Sequence, residues 1–372
     1  MNILMLLSNP FVHDHRVYME TQSLLRHRHS VTLIAWDRLA EHPPREVIDG
    51  VDVIRIRTTG IMKLIPFDIF RLKSWWRRAR SLAMELAERS QFDVVHCHDL
   101  DTLPIGVWLK DMWGVKLIYD AHEVFTYMMK GEVPSHLIRR FQKMEDSLMM
   151  RADRMITVGE KYKEYFLSRG KPDDEITLVM NAKDIAVDSY MRPSNTEPTV
   201  LYIGALRRTR FVTELALAGS RLNGIRVVIA GGGAEEERIR EIASGSENVE
   251  FLGKIPMKEV IPLTLQCDAV FCMFDPEHPL YRIGFPNKFF EALATGRPII
   301  ASEGTYVGEL VERLKCGIVF RPNMEGIRDG LIFVRDNPSE LERMGNNALE
   351  AARNTYNWTA QEAALMEVYD SL

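Results

Sequence analysis

The stretch Gly284–Phe285–Pro286–Asn287–Lys288–Phe289–Phe290–Glu291–Ala292–Leu293–Ala294–Thr295–Gly296–Arg297–Pro298–Ile299–Ile300 reads as a loop, a short helix and the start of a buried strand. Gly and Pro punctuate the loop, and Gly296 with Pro298 stops the helix. Ligands of open parallel α/β sheets bind beside such junctions. A helix N-terminus presents unpaired N–H groups and partial positive charge, which suits a phosphate. Lys288 adds a full charge there, and Glu291, three residues on, shares its helix face. A cation for phosphate and a carboxylate for sugar hydroxyls would together grip a sugar nucleotide. A surface ion pair capping the helix is the competing reading.

Working outward, the same strand–loop–helix unit recurs. The run 199–204 is a strand feeding a loop that holds Arg207, Arg208 and Arg210, and a helix follows through Leu215, Leu217 and Ala218. The strand 226–230 enters Gly231, Gly232 and Gly233, whose backbone can approach a phosphate or ribose closely. This is not a dinucleotide fingerprint: the last Gly of G-x-G-x-x-G is missing, and Glu235, Glu236 and Glu237 would repel a pyrophosphate. A tight strand-to-helix turn is the alternative. Further strands are expected at 248–252, 269–274, 299–302 and 316–320, with helices at 256–265, 324–337 and 339–355. The tail 358–372 is amphipathic. In the first half, strands at 3–7, 31–35, 51–56, 93–99, 116–123, 152–158 and 176–180 imply a parallel sheet covered on both faces. The polar stretch 188–198, with Pro193 and Pro198, reads as a linker between a domain over 1–187 and one over 199–357.

At 372 residues the chain is long for a single core and suits two domains. A composition 46% hydrophobic and 27% charged is that of a soluble globular protein. The net charge of −5 gives no bulk attraction to nucleic acid, so no nucleic-acid partner is expected. Cys97, Cys267, Cys272 and Cys316 lie scattered, which argues for a reducing compartment and against a disulfide framework or a cysteine zinc site. No basic segment precedes the first apolar run, and no run is long enough to span a bilayer, so a cytoplasmic protein is expected.

Two clusters stand out in the first half. His96 and His98 alternate onto one face of a strand that ends at Asp99, and Asp120, His122 and Glu123 end the next strand. Asp99 and His122 at successive strand ends should share a cleft. His96, His98 and His122 match no common zinc spacing, and no metal is expected. The second cluster is a helix over 68–89. Ile69, Leu72, Trp76, Ala79, Ala83 and Leu86 form its apolar stripe, flanked by Arg71, Trp75 and Arg78 and by Lys73, Arg77 and Arg80. Such a helix could rest on an anionic membrane surface as a peripheral association. A core helix with snorkelling arginines is the favoured reading.

Four blocks resemble, in order and spacing, the GT-B glycosyltransferases that use nucleotide-sugar donors with retention. They are His98–Asp99–Leu100–Asp101–Thr102–Leu103–Pro104, Tyr119–Asp120–Ala121–His122–Glu123, Ala152–Asp153–Arg154–Met155–Ile156–Thr157–Val158 and Pro286–Asn287–Lys288–Phe289–Phe290–Glu291. Asp14, Arg16 and Val17 also resemble the family's acceptor-side loop. The resemblance covers almost the whole chain. It implies two Rossmann-like domains facing a cleft, a C-terminal helix over 358–372 crossing back to the first, acceptor on the first domain and donor on the second. It implies that Glu291 holds the donor ribose, that Arg210 and Lys288 meet the diphosphate, and that Gly204, Arg208, Gly231, Gly232, Gly233, Pro286 and Asn287 line the nucleotide. It places His122 against the transferring sugar and Asp14, Arg16, His98, Asp99 and Glu123 on the acceptor side. The donor would be a UDP- or GDP-sugar, the acceptor a glycan, a lipid-linked sugar or a small molecule, and no cofactor or metal would be required. Two positions depart from the pattern: Ile283 stands where members commonly carry a first glutamate, and Ala205 where an arginine is frequent. A nucleotide-sugar 2-epimerase of the same fold and a non-catalytic sugar-nucleotide binder are the rival readings.

Overall fold

A computed structural model describes residues 1–12, 14–58, 68–130 and 133–372, the side chains of Asp68 and Ile69 excepted. The chain divides into two units, Met1–Met180 with Glu362–Leu372, and Asn181–Gln361. The stretch 188–198 carries no helix or strand.

The first unit is built on β1 (Asn2–Leu7), β2 (Ser30–Asp37), β3 (Arg45–Ile48), β4 (Val51–Arg57), β5 (Val94–His98), β6 (Lys116–Ala121), β7 (Arg154–Thr157) and β8 (Ile176–Leu178). Their order is β3-β4-β2-β1-β5-β6-β7-β8. Short apolar runs such as Ile3–Leu4–Met5–Leu6, wholly buried, form the centre because a parallel strand is covered on both faces. The order reverses between β1 and β5, so that gap is the expected ligand crevice of this sheet. One strand departs from the all-parallel expectation. β3 pairs antiparallel with β4, Arg45 opposite Ile54, through a tight turn at Asp49 (φ 44°) and Gly50 (φ 90°). The Asp–Gly pair is a hairpin signal.

The second unit is built on β9 (Thr199–Ile203), β10 (Arg226–Ala230), β11 (Val249–Gly253), β12 (Ala269–Cys272), β13 (Ile299–Ser302) and β14 (Gly317–Phe320). Their order is β11-β10-β9-β12-β13-β14, which reverses between β9 and β12. Val200, Tyr202, Ile229, Phe271 and Ile300 from the strands pack with Leu215, Leu331 and Val334 from the helices in one core. The helix Asn287–Thr295 is buried from Lys288 to Thr295, as a helix apolar on most sides should be. Burying Phe289 and Phe290 contributes about 1.5–3 kcal/mol each. Gly296 ends this helix in the left-handed conformation (φ 66°), as a C-terminal glycine does.

The helix Asp68–Ala87 is a core helix. Its buried side chains are Leu72, Trp75, Ala79 and Ala83, so the stripe is turned by one position at the tryptophans relative to expectation. Trp75 is the core residue, stacked on Trp36 with ring centroids 5.5 Å apart. Trp76 is half-buried and donates its indole N–H to the Asp101 carbonyl at 2.7 Å. Arg80 reaches the Pro104 carbonyl at 2.8 Å and Arg78 the Arg57 carbonyl, which uses those cations inside the unit. The side chain of Ile69 lies outside the described residues. Among the described residues no helix is long and apolar enough to cross a membrane.

Candidate functional site

The switch point of the second sheet holds the cationic cluster. Gly204 follows β9 with φ 150°, a conformation open to glycine. A β-carbon built on Gly204 would lie 3.3 Å from Arg210 Nη1, 3.4 Å from the Tyr202 hydroxyl and 3.5 Å from Lys288 Nζ. Three elements therefore aim polar groups at one point: β9 with Tyr202, the turn Arg208–Arg210 with Arg210, and the helix Asn287–Thr295 with Lys288. Lys288 Nζ sits 3.4 Å from the centre of the Tyr202 ring. Phe274, just past β12, is flanked by Lys288 at 5.6 Å and by the Arg210 guanidinium at 5.7 Å. Cation–π attraction offsets only part of the cost of burying an ammonium. Lys288 is 5% exposed, and its Nζ has no hydrogen-bond partner. Burial, reinforced by the Arg210 charge, brings its pKa down to about 7. A buried cation without a hydrogen-bond partner at a sheet's switch point is a site suited to an anion.

Glu291 is also buried, 8% exposed. Burial raises its pKa, while Lys183 and Lys288 pull it down. The surface ion pair considered from sequence is thus replaced by two buried, separately placed groups. Asn287 Oδ1 accepts from Asn181 Nδ2 at 2.6 Å, and Pro286 precedes the first helical residue.

The glycine run packs directly against the loop after β9. A β-carbon on Gly231 (φ 140°) would fall 1.8 Å from the Gly204 carbonyl oxygen, and one on Gly233 (φ 156°) 2.5 Å from that of Leu206. Hydrogen bonds from Gly204 N to Ala230 O and Leu206 N to Gly232 O tie the two loops together. The close packing that the glycines permit is therefore loop on loop. Arg208 is exposed at the start of its turn and outside the Lys288–Arg210 cluster. Sequence reading does not single out Tyr202 or Phe274. Each sits in an apolar run that reads as core, and only their position at or just past a strand end marks them.

In the first unit Arg16, His98 and Asp99, three of the residues expected on the acceptor side, join Asp120 and His122 in one buried network. Arg16 Nη2 donates to Asp120 Oδ1 at 2.7 Å and Nη1 to the Val179 carbonyl at 2.5 Å. Its Nε lies 3.0 Å from Glu20 Oε1. His122 Nε2 lies 3.2 Å from Asp120 Oδ2 and 3.2 Å from His98 Nδ1, and its backbone N–H donates to Asp99 Oδ1 at 3.0 Å. His96 Nδ1 meets the Tyr369 hydroxyl at 2.7 Å. Asp99 adopts φ 62°, an uncommon conformation for a residue other than glycine and one that strained functional loops favour.

Charge in this network is divided by position. Burial alone would raise the Asp120 carboxyl, but the Arg16 and His122 cations hold it well below the usual range. Burial likewise opposes charge on His122, and the Asp120 and Asp99 carboxylates overcome it, raising the imidazole to about 10. His98, buried and beside His96, is pushed down to about 3 and stays neutral. Glu20, Asp120, His96 and His98 bring one donor atom each within 4.8 Å of one another. Arg16 already supplies positive charge to both carboxylates of that set, so the arrangement is a compensated cluster. Asp14 instead caps the helix His15–Arg26 by accepting from Val17 N. Glu123 accepts from the Tyr162 hydroxyl at 2.7 Å.

Comparison with known proteins agrees with this architecture. The model of the glycosyl transferase 4-like domain matches residues 14–182, and that of the glycosyl transferases group 1 matches residues 191–351. An uncharacterized glycosyltransferase of Methanocaldococcus jannaschii is 22% identical over 94% of this chain and 91% of its own length. The D-inositol 3-phosphate glycosyltransferase of Corynebacterium glutamicum is 24% identical over 78% of this chain and 74% of its own. Among solved structures, sucrose-phosphate synthase from Thermosynechococcus elongatus superposes with a TM-score of 0.81 at 17% identity, covering 100% of this chain and 99% of that one. Anabaena HepE in complex with UDP-glucose gives 0.72 at 17% identity, with 100% of both chains covered. With two parallel-sheet units whose strand orders reverse at the sites just described, and with a matching family model on each, the chain belongs to the group 1 glycosyltransferases of GT-B fold.

Proposed function

We propose that the protein transfers a sugar from a nucleoside-diphosphate sugar to an acceptor hydroxyl. The observation that carries this reading is Lys288 Nζ, buried without a hydrogen-bond partner and converging with Arg210 on the point beside Gly204. Two cations at a sheet's switch point suit a diphosphate, and the buried Glu291 carboxylate on the same helix suits the ribose hydroxyls. Anabaena HepE, similar in fold and solved with UDP and with UDP-glucose, supports a uridine nucleotide as the first donor to test. The charged imidazole of His122 and the network that holds it are assigned to the transferring sugar and the acceptor side.

Breaking the anomeric C–O bond leaves negative charge on the departing diphosphate. Lys288 and Arg210, fixed before the reaction, would stabilise that charge as it develops. Removing one such group costs about 2.7–4 kcal/mol of barrier. We assign retention: the acceptor oxygen bonds to the anomeric carbon on the face the diphosphate leaves, and the acceptor proton passes to a leaving phosphate oxygen. With side-chain cations in that role, turnover should survive chelation of divalent ions. The test is release of UDP or GDP from a panel of sugar nucleotides with and without acceptors. Lys288→Met should lower turnover by about 100-fold or more. Nucleotide release at the wild-type rate by this variant contradicts the assignment. Epimerised sugar nucleotide formed without acceptor, seen by NMR, would instead favour the 2-epimerase reading.

A further inference from the structure

Arg210 is carried by a turn of three residues, Arg208–Arg210, that ends in a left-handed Phe211 (φ 51°). So short a turn does not fix a long side chain by itself, and the chain just past β12 braces it. The Thr209 carbonyl accepts from the Asp275 N–H at 2.9 Å, and Thr209 Oγ1 lies 3.3 Å from the Tyr281 hydroxyl. Tyr281 sits half-buried in the short helix Pro279–Ile283. The bracing segment is itself closed: His278 N–H donates to the Asp275 carbonyl at 3.1 Å, and Arg282 Nε to the Pro276 carbonyl at 2.6 Å. The Tyr281 ring stacks on Phe274 with centroids 4.6 Å apart and planes at 28°. Phe274 is the ring that the Arg210 guanidinium and the Lys288 ammonium both approach.

The groups around Arg210 are chemically unusual for an arginine. Arg16, in the first unit, is held by the carboxylates of Asp120 and Glu20. Arg210 has no carboxylate paired with it among the described residues. Burial opposes its charge, and the Tyr202 and Tyr281 hydroxyls overcome that effect and raise its pKa. The Tyr202 proton goes to the Ala205 carbonyl at 2.6 Å, which leaves the phenol oxygen free to accept. Tyr281 has the same capacity when its own proton goes to Thr209 Oγ1. A phenol oxygen orients a guanidinium fork without neutralising it. A carboxylate in that place would offset the charge that an incoming anion is to meet, and would compete with it for the same N–H groups.

We propose that Tyr281 is a positioning residue of the donor site: through Thr209, Phe274 and its own hydroxyl it holds Arg210 in place for a diphosphate while leaving the guanidinium charge uncompensated. The proposal rests on the donor reading given above for what Arg210 meets. It adds that the segment from Asp275 to Ile283 acts on the nucleotide through Arg210.

The test is a double-mutant cycle on the full chain, read by calorimetry with UDP and GDP and controlled by thermal unfolding. Tyr281→Phe keeps the stack on Phe274 and removes only the hydroxyl. Arg210→Met removes the cation. Tyr281→Phe should weaken nucleotide binding about fivefold. Arg210→Met should weaken it about tenfold, and adding Tyr281→Phe to Arg210→Met should change nothing further. A merely structural defect at Tyr281 would weaken binding equally with and without Arg210. Thr209→Val reaches the same hydroxyl contact from the turn and should weaken binding about twofold; it decides the matter if Tyr281→Phe does not fold. Unchanged affinity in Tyr281→Phe, or the same loss in both backgrounds, overturns the proposal. When Arg210→Met weakens binding and Tyr281→Phe does not, the donor reading stands and this inference alone falls. A wild type that binds neither nucleotide overturns both.

Discussion

Near neutral pH the free protein holds Lys288 in both protonation states, because burial brings its pKa to about 7 from 10.5. The sign follows from linkage. Between those two values the unfolded chain binds the lysine proton and the folded chain does not, so this group's contribution to stability grows as pH rises through that window. A diphosphate reverses the preference by favouring the ammonium. Binding of UDP at about pH 8 should therefore take up close to one proton per site, and affinity should fall as pH climbs further. Calorimetry in buffers of different ionisation enthalpy measures the uptake, which Lys288→Met should abolish. His122 behaves oppositely. Its folded pKa is raised to about 10, so its stabilising effect is complete below its ordinary value near 6.5 and disappears as pH rises through about 10. NMR of the imidazole should show no titration of His122 between about pH 6 and 8. Asp120 and Asp99 are the groups that keep it charged.

At the scale of elements, the glycine loops are where backbone and site meet. Gly231 combines φ 140° with a would-be β-carbon 1.8 Å from the Gly204 carbonyl. Gly231→Ala must push the β9 and β10 loops apart, which should destabilise the second unit by about 1–3 kcal/mol and displace Gly204 from Arg210 and Lys288. Urea denaturation and a UDP titration of the variant check both effects. The helix Asn287–Thr295 and its exit at Gly296 are legible in the sequence because Pro, Gly and a β-branched run mark both ends. The strand Arg226–Ala230 is legible for similar reasons. The hairpin strand Arg45–Ile48 escapes a sequence reading although Asp49–Gly50 marks its turn, because its side chains alternate between exposed and half-buried and carry little apolar pattern. The one-residue rotation of the helix Asp68–Ala87 has a like cause: with adjacent Trp75 and Trp76, helical period alone does not say which indole faces the core. For the site, Lys288, Arg210, Gly204 and His122 are readable as polar groups or glycine at strand or helix ends. Tyr202, Phe274 and Glu20 are not, since their roles depend on which elements the sheet order makes neighbours.

Taken as a whole, the molecule returns its C-terminal residues Glu362–Leu372 to the first unit. Tyr369 there is 1% exposed and bonds His96, Arg26 holds Glu362 at 2.9 Å, and Arg154 Nε donates to Ser371 Oγ at 2.8 Å. Truncation before Glu362 should therefore raise amide exchange in β5, in the helix His15–Arg26 and in β7, while β9 to β13 keep their protection. Uniform loss in both units would mean that the tail serves the second unit equally. Division into two units, each with its own core and its own switch point, lets the proposed donor and acceptor sites be perturbed one at a time. The most direct measurement is calorimetric titration of UDP and GDP into the wild type and into Lys288→Met, with thermal unfolding as the control for fold. The wild type should bind at least one of the two nucleotides, and the variant should bind it at least about tenfold more weakly at an unchanged melting temperature. Equal affinity in the two proteins, or a wild type that binds neither nucleotide, would contradict the placement of the diphosphate between Lys288 and Arg210.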